Sequence, residues 1–140
     1  LETTGADPGR LKLELTESVV LDEVEQAVGK MRAVKRLGIA LELDDFGTGY
    51  SSLSYLTRLP IDQLKIDQAF VRKLPDSISD GVVTKAIITL ATGLGLTAIA
   101  EGVETAAQHE FLKQHGCHAY QGSLFSRPLS LAEFQQFLGR

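Results

Sequence analysis

Short apolar runs that read as strands alternate along the whole chain with longer helical segments, and charged or amide side chains recur where the strands end. Residues 11–15, 39–43, 64–66, 97–100 and 118–121 have strand character. Residues 23–37, 53–59 and 80–93 have helical character, as do a segment opening at Thr105 and ending near Gly116 and a last one after Ser130. The punctuation supports this division. Asp22 with Glu25 opens the first helix and Gly38 stops it, Pro60 closes the second, and Gly93 and Gly95 end the third. Thr105 with Gln108, and Ser130 with Glu133, have the spacing of capping boxes. Leu131, Phe134 and Leu138 share one face of the last helix. Strands that alternate with helices predict a parallel sheet with helical crossovers.

Two architectures satisfy that pattern: an open doubly wound sheet and a (β/α)8 barrel. Glu14, Asp44, Asp45, Lys65, Glu101 and Gln121 all fall at or near the C-terminal ends of the expected strands. A barrel gathers those ends on one rim, whereas an open sheet spreads them along an edge with one crevice at its switch point. Parity points the same way. Lys12 and Glu14, Glu42 and Asp44, and Lys65 and Asp67 each share a strand face, with leucines and isoleucines on the other. The barrel is therefore the expected fold. An amphipathic sheet with one wet face is the plainer alternative, but crossover helices cover both faces of a parallel sheet.

With 140 residues, 44% of them apolar, and no linker or low-complexity stretch, one domain is expected. A net charge of −4 argues against broad binding to a nucleic-acid polymer, which relies on basic phosphate contacts. The single cysteine, Cys117, excludes an internal disulfide and fits a cytoplasmic setting. No apolar run is long enough to span a bilayer. The longest, residues 86–96, reads as a buried helix.

Adjacent Asp44 and Asp45 end an apolar run and precede Phe46-Gly47-Thr48-Gly49. Like charges this close are unfavourable without a compensating cation, so the pair is a candidate divalent-metal site. Its glycines allow a turn that other residues resist. A turn or helix cap is the competing explanation. His115, Cys117 and His118 match no common zinc spacing, and Cys117 reads as a small buried residue.

Five motifs occur in order over nearly the whole chain. They are Glu14-Leu15-Thr16-Glu17-Ser18, the run from Asp44 to Leu53, Leu64-Lys65-Ile66-Asp67, the run from Ala100 to Thr105, and Gln121-Gly122 followed by Phe125-Ser126-Arg127-Pro128-Leu129. Together they resemble the EAL domain, the phosphodiesterase family that hydrolyses the bacterial second messenger cyclic di-guanosine monophosphate (cyclic di-GMP) to linear pGpG. Ser123 departs from the pattern, where an aromatic residue is common.

The resemblance implies a TIM-type (β/α)8 barrel, of which this chain, residues 1–140, is expected to be the C-terminal part with about the last five βα units. A full barrel needs about 250 residues. The segment with the Glu-Ala-Leu signature and a metal-binding asparagine would lie before Leu1. By the same resemblance, Glu14 and Asp44 bind a first Mg²⁺ or Mn²⁺, while Asp44, Asp45 and Glu101 hold a second. Lys65, Glu101 and Gln121 are the catalytic set, and Gln121 and Glu104 touch substrate. Glu17 anchors the loop from about Phe46 to Ser52, which links the site to dimerisation.

Expected partners are cyclic di-GMP, a second copy of the chain, and upstream sensor or GGDEF-type domains. A non-catalytic module that binds cyclic di-GMP or another protein is the alternative function. Five of eight strand units leave two open edges, so this stretch alone is expected to be inactive or weak.

Overall fold

The computed structural model describes residues 1, 3–22, 24–47 and 53–139. Five strands pair in parallel in chain order: β1 (Lys12–Thr16), β2 (Ala40–Phe46), β3 (Gln63–Ile66), β4 (Thr97–Ala100) and β5 (Ala119–Tyr120). Between and after them lie α1 (Glu17–Asp22), α2 (Val24–Arg36), α3 (Leu53–Leu56), α4 (Gln68–Val71), α5 (Ile78–Gly93), α6 (Ala106–Gln114) and α7 (Leu131–Phe137). β1 and β5 form the edges of the sheet.

Alternation along the strands sorts the side chains. Leu41, Leu43, Leu64 and Ile66 are fully buried, and they pack with Val28 and Met31 of α2 and Ile87, Ile88 and Ala91 of α5. Burying each such side chain contributes about 1.5–3 kcal/mol, so this face dominates the stability of the sheet. The opposite face carries Lys12, Glu14, Glu42, Asp44, Gln63 and Lys65. Glu42 is 5% exposed there and pairs with Lys12, whose Nζ lies 2.9 Å from its Oε1 and also donates to Gln63 Oε1 at 2.7 Å.

Several boundaries differ from expectation. β2 runs on to Phe46, so Asp44 and Asp45 lie inside the strand rather than just at the end of a strand over residues 39–43. Its pairing with β3 slips between Leu43↔Leu64 and Phe46↔Ile66, which inserts one extra residue into β2. This bulge has a packing cause. Strict alternation would put Phe46 on the polar face with Asp44; the extra residue returns it to the core, where it is 4% exposed. Asp45 takes up the distortion with φ 58°, a conformation that costs a non-glycine residue energy.

Asp22 belongs to a separate short helix, α1, while the expected helix start at Glu23 lies outside the described residues. The second helix stops at Leu56 instead of residue 59, and the third opens at Ile78 with Ser77 as its cap. Asp67 is not a strand residue. It caps α4 by accepting the Ala69 N–H at 2.6 Å.

At the N-terminal end of the sheet, the Asp62 carboxylate accepts a hydrogen bond from Lys35 Nζ and another from the Leu41 N–H at 2.9 Å. Burial alone would raise its pKa; these two donors outweigh burial and lower it below its ordinary 3.8. A carboxyl with a depressed folded-state pKa stabilises the fold above its unfolded value and loses that contribution as pH falls through the folded one. Asp62→Asn is expected to cost about 1 kcal/mol at pH 7, since the group is part-exposed. The difference shrinks toward zero at pH 3, and urea titrations at both pH values check it.

Candidate active site

Lys65 stands at the centre of the polar face, 4% exposed, on the middle strand of the sheet. Its Nζ lies 2.6 Å from Glu101 Oε1, 3.2 Å from Glu14 Oε2 and 3.3 Å from Asp44 Oδ1. Those acids come from β1, from the bulge of β2 and from the residue after β4. Parallel pairing in one order is what brings them together, since each stands within two residues of the C-terminal end of its strand. Gln121, directly after β5, adds a fifth group by donating from Nε2 to Glu101 Oε1 at 2.7 Å.

Burial would push the Lys65 ammonium down, but hydrogen bonds to Glu101 and Glu14 and the nearby Asp44 charge outweigh it and raise its pKa. The lysine is therefore a fixed cation. Glu101 is shifted upward, first by burial and then by Asp44 and Glu14, against the opposing pull of Lys65. Asp45 is also raised, by burial and by the nearby charges of Asp44 and Asp67. Asp44 Oδ1 accepts the N–H of Asp45 at 2.9 Å, which ties the pair to the bulge.

Among the described residues, no three acidic, histidine or cysteine side chains form a ready cation cage. The ammonium of Lys65 occupies the focus of Glu14, Asp44 and Glu101. The donor set nevertheless suits a hard divalent cation, because it is all oxygen and carries excess negative charge.

Two expected site residues stand apart from this cluster. Glu17 is buried, 4% exposed, and faces Tyr55 and Gly47. Of the loop assigned to it, residues 48–52 lie outside the described residues. Glu104 is exposed just before the α6 cap, and its backbone N–H donates to Gln108 Oε1 at 2.8 Å. Both expected capping boxes form. Cys117 is fully buried, with its thiol pushed up by burial, and His115 Nδ1 contacts the Phe111 carbonyl at 2.7 Å. Neither is poised for chemistry.

Sequence reasoning missed Asp67 and Tyr55 as neighbours of the site. An aspartate directly before Gln-Ala-Phe-Val was a readable cap signal, whereas Tyr55 offered none.

The backbone after Gln121 leaves no room. A Cβ on Gly122 would stand 2.2 Å from the Val103 carbonyl oxygen and 2.3 Å from its nitrogen. Gly122→Ala is expected to cost about 3 kcal/mol and to pull Gln121 off Glu101. Thermal melting and the loss of that contact in a crystal structure check the prediction.

The family model of the EAL domain matches residues 1–128. The chain belongs to the EAL domain family. NbdA of Pseudomonas aeruginosa, a cyclic di-GMP phosphodiesterase, is 46% identical over 138 residues, covering 99% of this chain and 18% of NbdA. The MucR phosphodiesterase of the same organism, solved in complex with cyclic di-GMP, superposes with a TM-score of 0.91 at 40% identity, covering 96% of this chain and 54% of that one. BlrP1 of Klebsiella pneumoniae, in a manganese and cyclic di-GMP complex, superposes at 0.83 with 37% identity, over 91% of this chain and 33% of that one. The chain thus spans about half of the MucR structure and under a fifth of NbdA. Its fold is that of the EAL barrel, of which it carries five βα units.

Proposed function

We propose that this chain is the C-terminal part of a single EAL domain and that the complete domain hydrolyses cyclic di-GMP to linear pGpG. The observation that carries the proposal is the convergence of Glu14, Asp44 and Glu101, from separate strands, on the buried ammonium of Lys65. The phosphodiesterase names of NbdA and MucR support the substrate. The manganese complex of BlrP1 supports the metal.

Glu14 and Asp44 would hold one Mg²⁺ or Mn²⁺, and Asp44, Asp45 and Glu101 the other. When bound, the pair supplies charge neutralisation for the phosphodiester and acidification of the attacking water. The chain's own residues do the rest. Without cations, the acids repel a phosphodiester. The Lys65 ammonium stabilises negative charge developing beside it. Gln121 and Lys65 donate to the same oxygen of Glu101, which fixes the carboxylate toward the reacting centre and lets Gln121 help orient water or ligand. Glu104 would touch substrate, a role that the family resemblance supports. Glu17 braces the end of the bulged strand.

A cytoplasmic location completes the proposal. Among the described residues, no helix is long and apolar enough to cross a membrane. MucR is a bifunctional diguanylate cyclase and phosphodiesterase, which supports a GGDEF-type or sensor domain upstream. Ile78 and Val82 of α5, 85% and 61% exposed, offer apolar surface for a homodimer.

The test is incubation of the complete domain with cyclic di-GMP and excess Mg²⁺ or Mn²⁺, followed by chromatography. Linear pGpG is the expected product. Tight binding with uncut substrate would make the domain a binding module instead.

A further inference from the structure

Glu17 and Tyr55 are 38 residues apart in sequence, yet their side chains meet in the interior, where they are 4% and 5% exposed. Tyr55 Oη donates to Glu17 Oε1 at 2.7 Å. The other carboxylate oxygen, Oε2, accepts the N–H of Gly47 at 3.4 Å. Gly47 directly follows β2, the strand whose bulge presents Asp44 and Asp45. Its glycine backbone takes φ +92° freely, whereas Asp45 holds φ 58°, a conformation that its neighbours must maintain. The Tyr55 ring is part of the core cluster with Leu56 and Leu59. That packing holds its hydroxyl in place.

A buried carboxylate is expensive unless its oxygens are compensated. A phenol donating to a carboxylate forms a charge-assisted bond of the stronger kind. We infer that Tyr55 is a positioning residue for the cation site. It fixes the Glu17 carboxylate, which fixes the Gly47 amide, and so the bulge keeps Asp44 and Asp45 in place. The core thereby reaches the site through one phenol and one carboxylate. This inference rests on the proposed two-metal phosphodiesterase and adds a residue to it.

Tyr55→Phe keeps the ring and removes only the hydroxyl, so circular dichroism and melting in EDTA establish that the variant folds. Three variants of the complete domain are compared with the parent: Y55F, E17Q and the double variant. Turnover of cyclic di-GMP gives kcat and KM, and electron paramagnetic resonance gives the affinity for Mn²⁺ without turnover. Y55F is expected to lower kcat and Mn²⁺ affinity each about tenfold, with KM little changed. In the E17Q background the same substitution is expected to change either quantity by under about twofold, because its route is already cut.

Parental kcat and Mn²⁺ affinity in Y55F would overturn the inference. So would an undiminished effect of Y55F on top of E17Q, since Tyr55 would then act without Glu17. Full activity in E17Q would remove the brace and the inference with it, while turnover by the parent leaves the phosphodiesterase standing. A parent that binds Mn²⁺ but cleaves nothing would instead fail the function.

Discussion

Replacing Lys65 with methionine is expected to lower turnover about a thousandfold and to destabilise the metal-free protein by about 3 kcal/mol. Both effects come from one geometry. The ammonium is almost fully buried and lies within 3.3 Å of three carboxylates. Methionine fills the space but leaves those acids facing one another without a counter-charge. Removing one partner of a buried ionic cluster is costly because the remaining charges stay desolvated. The cost stays at the low end of the usual range because the Glu14 side chain is 54% exposed and screened by water. Asp44 and Glu101, at 20% and 16%, carry most of the penalty. Mn²⁺ is expected to restore part of the lost stability by replacing the missing charge, but not the turnover, because Lys65 also stabilises charge at the reacting centre. Melting curves with EDTA and with Mn²⁺, beside steady-state kinetics, separate the two effects.

Asp44→Asn is expected to act in the opposite way on stability. Its amide oxygen can still accept the Asp45 N–H that Asp44 Oδ1 accepts now at 2.9 Å, so the bulge survives. The Asp44 charge raises the pKa values of both Asp45 and Glu101, and its removal relieves that repulsion. The metal-free variant should therefore melt at or slightly above the parent. Turnover should nevertheless fall about a thousandfold, because Asp44 is the proposed bridge between the two cations. Mn²⁺ titration is expected to show weakened affinity at both positions. A variant that is as stable as the parent yet unable to hold metal distinguishes a ligand from a structural acid.

Much of this organisation is legible in the residues because much of it is local. β4 spans Thr97–Ala100 as read, and the Thr105 and Ser130 capping boxes form where their spacing places them. Each depends on contacts within a few positions. The polar face was also readable, since strand parity alone puts Glu14, Asp44 and Lys65 on one side.

What stayed hidden depends on distant partners. The extension of β2 through the aspartate pair arises from pairing with Ile66 and from burial of Phe46. No local pattern encodes that bulge. α1 and α4 are too short to hold themselves together, so their existence follows from packing. The Tyr55–Glu17 contact joins two elements across 38 residues. The metal roles of the four acids came from family resemblance; the structure supplies the convergence around Lys65, a lysine that parity placed on the right face but could not place at its centre.

Anomalous diffraction from Mn²⁺-loaded crystals of the complete domain tests the central claim most directly. Two manganese peaks are predicted, both against Asp44, one also touching Glu14 and the other Asp45 and Glu101. Peaks elsewhere, or none at these acids in crystals of a domain that still cleaves cyclic di-GMP, would contradict the account.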